Sequence, residues 1–154
     1  MIHREQILAA PIFMLLFGVL AMLVGGLLVL SIPPTASAND CQLYRDDEHM
    51  QLESLFKSRQ FSNALEIAKT LHRHYDECQK APSTDAESRV MNQSWRADTA
   101  ISMAQIYRSM KRAQEARQWV REACKDYRVV VDATIVDTQT RKMANKATER
   151  NCGR

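Results

Sequence analysis

The stretch Met103–Ala123, MAQIYRSMKRAQEARQWVREA, decides the fold class of this chain. Ala100, Met103, Ala104 and Tyr107 fall on one face of a helix that also runs through Trp95, because apolar residues three and four apart share a side at 3.6 residues per turn. Polar residues around Lys111 interrupt that face. From Ala113 a second apolar face runs through Ala116, Val120 and Ala123 to about Tyr127. Two helices joined by a short turn near Lys111 are therefore predicted.

Working outward, the same spacing recurs upstream. Asp46–Ser58 carries Leu52, Leu55 and Phe56 on one side, and Phe61–Cys78 carries Ala64, Leu65, Ala68, Leu71 and Tyr75. Between the two pairs, KAPSTDAES (Lys80–Ser88) has no apolar period, so residues 79–93 are expected to form a loop, with the next helix beginning near Val90 or Gln93. Downstream, Val129, Ala133, Val136, Thr140, Met143 and Ala147 alternate spacings of four and three and predict a final helix. The three valines 129–131 find no partner strand. The expected class is all-α.

Laid on itself with an offset of 52, the chain pairs Leu52 with Ala104, Leu55 with Tyr107, Phe61 with Ala113, Ala64 with Ala116, Ala68 with Val120, Leu71 with Ala123 and Tyr75 with Tyr127. Met103–Ala123 resembles a tetratricopeptide repeat through Ala104, Tyr107, Ala116 and Ala123. LESLFKSRQFSNALEIAKTL (Leu52–Leu71) resembles the same motif through Leu55, Phe61, Ala64 and Ala68. The resemblance implies two stacked hairpins, with small side chains at the crossings of Ala64, Ala68, Ala104, Ala116 and Ala123 letting the helix backbones approach. The pattern is incomplete: Leu52 replaces a small residue, Lys111 replaces the turn glycine, and Gln79–Gln93 breaks the family's 34-residue period.

Residues 1–40 have a different composition. Residues 7–32 contain no charge and exceed the roughly 20 residues that cross a bilayer. His3 and Arg4 precede the run and acids follow it. Residues 1–6 are therefore expected on the cytoplasmic side, residues 33–40 as a linker, and residues 41–154 as an exported domain. Ala36-Ser37-Ala38 also has the small-x-small pattern of a signal-peptidase site. Two outcomes stand: a single-pass protein of the bacterial inner membrane with its C-terminal domain in the periplasm, or a soluble periplasmic protein cleaved after Ala38.

Cys41, Cys78, Cys124 and Cys152 all follow the apolar run, an even number suited to disulfides in an oxidising compartment. An antiparallel hairpin brings Cys41 to Cys78. Cys124 and Cys152 pair by remainder, although a straight helix from about Val131 to Arg150 would be almost 30 Å long and hold them apart, so three connectivities stand. His74, Cys78 and Cys41 as zinc ligands are the weaker reading.

No GxSxG, CxxC, CxxCH or HExxH occurs, so no catalytic, cofactor-binding or metal-binding residue is predicted. Residues 40–78 carry 5 Lys/Arg against 8 Asp/Glu, and residues 111–154 carry 11 against 6, an uneven distribution suited to docking or self-association. The basic C-terminal run lacks interleaved aromatics, and no nucleic-acid partner is expected. Trp95 is the candidate partner contact. The expected function is a non-enzymatic adaptor or scaffold subunit of an envelope assembly, such as a secretion, pilus or conjugation system. Its expected partners are protein subunits of a membrane-associated complex, with the lipid bilayer meeting residues 7–32 if they are kept. The alternative is a small periplasmic enzyme or inhibitor on a disulfide-stabilised helical scaffold.

Overall fold

The computed structural model describes residues 40–153. The predicted membrane span over residues 7–32 and the Ala36-Ser37-Ala38 site lie outside them. Among the described residues no helix is long and apolar enough to cross a membrane.

All secondary-structure elements among these residues are helices: a 3-10 turn at Asp40–Gln42, then α1 Asp46–Lys57, α2 Phe61–Lys80, α3 Ala86–Ser109, α4 Ala113–Asp132 and α5 Thr138–Asn151. Asp40 thus belongs to the first turn rather than to a linker. Each helix packs mainly on its neighbours in sequence, α1 on α2, α2 on α3, α3 on α4 and α4 on α5.

The helix ends recur with the 52-residue offset. Helix α2 begins at 61 and α4 at 113, α1 ends at 57 and α3 at 109, and α3 begins at 86 and α5 at 138. The turns match as well. Arg59 and Lys111 have φ of 60° and 61°, a left-handed conformation that costs a non-glycine residue about 1–2 kcal/mol. Each sits in a Schellman turn. The Arg59 amide donates to Phe56 O and the Gln60 amide to Leu55 O, while the Lys111 amide donates to Arg108 O and the Arg112 amide to Tyr107 O. Lys111 therefore takes the conformation that glycine would adopt without strain.

Two predicted boundaries are corrected. The loop expected over residues 79–93 is confined to 81–85, because α2 runs to Lys80 and α3 begins at Ala86. The cause is a cap: the Asp85 carboxylate accepts the Ser88 amide at 2.8 Å and the Ser88 hydroxyl at 2.8 Å, satisfying donors at the helix start. The final helix expected from Val129 does not exist as one element. Val129 belongs to α4, which continues to Asp132, and residues 133–137 turn the chain back into α5. Here Asp137 caps, accepting the amides of Gln139 at 2.7 Å and Thr140 at 3.0 Å, and the Thr140 hydroxyl. Asp85 and Asp137 are again 52 apart, as are buried Thr84 and Val136.

This reversal explains the second disulfide. With the helix broken, Cys152 returns to Cys124 at a Cα separation of 5.7 Å, and Cys41 meets Cys78 at 5.2 Å.

Two apolar clusters fill the stack. One joins Leu52, Ala64, Leu65, Ala68, Leu71 and Tyr75 to Met103, Ile106, Tyr107 and Ala116. The other joins Ala97 and Ala100 to Ala123, Tyr127, Val130 and Ala144. Ala64, Ala68, Ala104, Ala116 and Ala123 are all essentially inaccessible, which is what close backbone approach at the helix crossings requires. Helix α5 closes the stack. Val90, Gln93 and Ala97 turn the face of α3 toward α4, whereas the residues 52 positions on, Lys142, Asn145 and Glu149 of α5, are exposed and give that helix a polar outer face.

Candidate functional site

Helices α1 and α3 end in register and flank a cleft of about 390 Å³. Tyr44, Asp46, His49, Met50, Leu52, Glu53 and Phe56 line it from the α1 side, and Ser102, Gln105 and Ile106 from α3. Its floor is apolar, since Leu52 and Ile106 are buried core residues. Its rim is acidic through Asp46 and Glu53. Met50, 61% exposed, offers an unbranched apolar side chain to whatever enters.

Packed rings hold the α1 wall in place. Tyr44 stacks on His49 with centroids 4.5 Å apart, and Trp95 touches both Tyr44 and Tyr75 at 5.5 and 5.6 Å. The Tyr75 hydroxyl accepts the Arg45 amide at 3.3 Å and meets His49 Nε2 at 3.1 Å. Burial pushes the Tyr75 hydroxyl above its ordinary range, so it remains a donor. Burial likewise holds the His49 imidazole low, against the opposing pull of Asp46 and Glu48. A neutral imidazole offers an unprotonated nitrogen that can accept a hydrogen bond from the tyrosine hydroxyl. Tyr127, the equivalent of Tyr75, donates to Asp98 of α3 and ties its own hairpin in the same way.

Trp95 does not line the cleft. It is half-buried, packed against the first apolar cluster and against the Tyr44 and Tyr75 rings behind the cleft wall. The five alanines lie beneath the surface and shape the stack without meeting a partner. The four cysteines are all in disulfides, so the described Cys41 and Cys78 do not offer thiolates to a metal. Among the described residues no group of three or more His, Cys, Asp or Glu is arranged to hold a metal ion.

Sequence spacing did not reveal an ionic cluster joining α2, α3 and α4. Arg96 grips Asp126 through Nε at 2.9 Å and a second guanidinium nitrogen at 2.6 Å, and its remaining nitrogen pairs with Asp76. Gln93 adds a bond to Asp126 at 3.2 Å. The Asp126 side chain is 3% exposed and that of Arg96 14%. Burial works against ionising Asp76, but Lys80 and Arg96 together hold its carboxyl below the usual carboxylate range. The cluster locks three successive helices and presents no open coordination position.

No protein-family model matches this chain, no curated protein matches its sequence, and no solved structure matches its fold.

Proposed function

We propose that the chain is a non-enzymatic helical-repeat adaptor or scaffold subunit of a bacterial envelope assembly, presenting its helical domain on the periplasmic side of the inner membrane. The observation that carries this reading is the cleft between α1 and α3, two helices whose ends are offset by 52 residues and whose shared groove is apolar in its floor and acidic at its rim. Grooves of that kind take a helix or extended segment from another protein. Support for a tetratricopeptide-like origin comes from the matched Schellman turns and from buried Ala64 and Ala116 at equivalent places. The period is 52 rather than 34, since α2 and α3 are 20 and 24 residues long. The two disulfides suit an oxidising compartment.

The test is a pull-down of the tagged full chain from detergent-solubilised membranes, compared with Met50→Lys. Met50 is exposed, so the replacement leaves the core untouched while placing a charge over the apolar floor. Proteins held by the cleft are expected to fall about tenfold or more in the M50K sample, as when a central apolar contact is lost. An identical partner set in both samples would remove the cleft from the function.

A further inference from the structure

The two ends of the helical stack carry opposite charge on complementary faces. Helix α1 has Asp46, Asp47, Glu48 and Glu53 against Lys57 alone. Helix α5 has Arg141, Lys142, Lys146 and Arg150 against Glu149 alone. Each is also the site of an exposed methionine, Met50 at 61% and Met143 at 59%. On α5, Lys142, Met143, Lys146 and Arg150 are all exposed and fall at helical spacing on one side, with Glu149 the one acid beside them, which makes a predominantly basic face with one apolar residue in it. On α1, Asp46 and Glu53 put acids at the rim of the cleft, and exposed Met50 stands between them above the apolar floor that includes Leu52 and Phe56.

A polar capping helix needs only to be hydrophilic. Helix α5 is more selective than that, because its charges are nearly all of one sign and opposite to those around the cleft. We propose that the cleft between α1 and α3 receives α5 of a second copy of this chain, so that copies join head to tail. This deepens the adaptor reading and rests on it. In the contact, Met143 enters the apolar floor beside Met50, while Lys142 and Lys146 face Asp46 and Glu53. The surface used on one copy differs from that used on the next, so the interface is heterologous and each added copy leaves both a free cleft and a free α5. Helix α5 has 14 residues and is about 21 Å long, so a single-helix contact falls below the roughly 800 Å² per partner of a stable interface. Association is therefore weak in dilute solution and strengthened where copies are held at high local concentration.

The experiment uses the purified full chain, mixed from light and heavy isotope-labelled preparations, and a carbodiimide that joins carboxylates to lysines without a spacer. At low salt and high protein concentration the wild type is expected to give a ladder of dimers and higher species. Its mixed-isotope cross-linked peptides should join Asp46 or Glu53 to Lys142 or Lys146. D46K/E53K alone and K142E/K146E alone should each lose the ladder about tenfold, because like charges then face each other. Mixing the two variants should restore it, since every contact in the mixture again pairs opposite signs. All four positions are exposed, and restoration on mixing also shows that both variants are folded. A wild-type ladder that fades with added salt supports the contact independently of any variant. No wild-type ladder, cross-links elsewhere, or two variants that fail to restore each other overturns self-assembly. The adaptor reading would then stand or fall on the M50K pull-down.

Discussion

Replacing Arg96 with Leu is expected to lower the free energy of unfolding by about 3–5 kcal/mol, the usual cost of removing one partner from a buried ion pair. Among the described residues Arg96 is the one cation paired with Asp126, whose side chain is 3% exposed, and the substitution leaves that carboxylate in the core with the Gln93 amide. Asp76 suffers less, because Lys80 remains 2.6 Å away. Urea unfolding of the disulfide-bonded protein measures the loss. R96M/D126L removes both charges together and is expected to recover most of it, since a buried pair replaced by apolar side chains is often neutral. The pH dependence has a definite sign. A carboxyl held low in the folded state stabilises fully above the ordinary carboxylate range and loses that contribution as pH falls through its folded value. R96L removes part of what lowers Asp76, so its stability should decline less steeply than the wild type's between about pH 5 and pH 3. An R96L midpoint equal to wild type would show that the cluster does not hold the three helices.

Reducing both disulfides is expected to have a larger effect, for a different reason. Cys41–Cys78 closes 37 residues and Cys124–Cys152 closes 28, and chain entropy assigns each roughly 4 kcal/mol. Together that is more than half of the roughly 5–15 kcal/mol by which domains of ordinary size are stable. The two staples act at opposite ends of the stack. C41S/C78S frees the segment leading into α1, and C124S/C152S frees the end of α5. Each double variant should lose about half of what full reduction removes. Thermal unfolding with and without reductant measures all four states, and a reduced protein as stable as the oxidised one would contradict the assignment.

The first hairpin was legible because its signals are local. Leu52, Leu55, Ala64, Leu65, Ala68 and Leu71 show helical spacing without any tertiary information, and the same hairpin brings Cys41 to Cys78. The second hairpin was legible in its turn at Lys111 but not at its ends. Asp85 and Asp137 start α3 and α5, and their effect depends on a side chain reaching an amide two or three residues on, which apolar periodicity does not register. Comparing apolar positions at an offset of 52 therefore found the hairpins and missed the matching caps. Missing the second cap also left Cys152 stranded at the end of an imagined straight helix. Arg96, Asp76 and Asp126 lie 20 and 30 residues apart and look like ordinary surface charges until three helices stack. The cleft has the same origin: Met50 and Gln105 belong to different hairpins, and only packing makes them two walls of one groove.

The central claim is that two hairpins share one 52-residue register, with turns at Arg59 and Lys111 and capped restarts after Asp85 and Asp137. Both disulfides and both apolar clusters close within residues 40–153, so the oxidised helical domain is the suitable sample for backbone resonance assignment. Its carbon shifts and amide couplings should place Arg59 and Lys111 alone in the left-handed region among non-glycine residues of the described part, and should interrupt helix at 81–85 and 133–137. A helix running without interruption through either segment, or either residue at negative φ, would contradict the account.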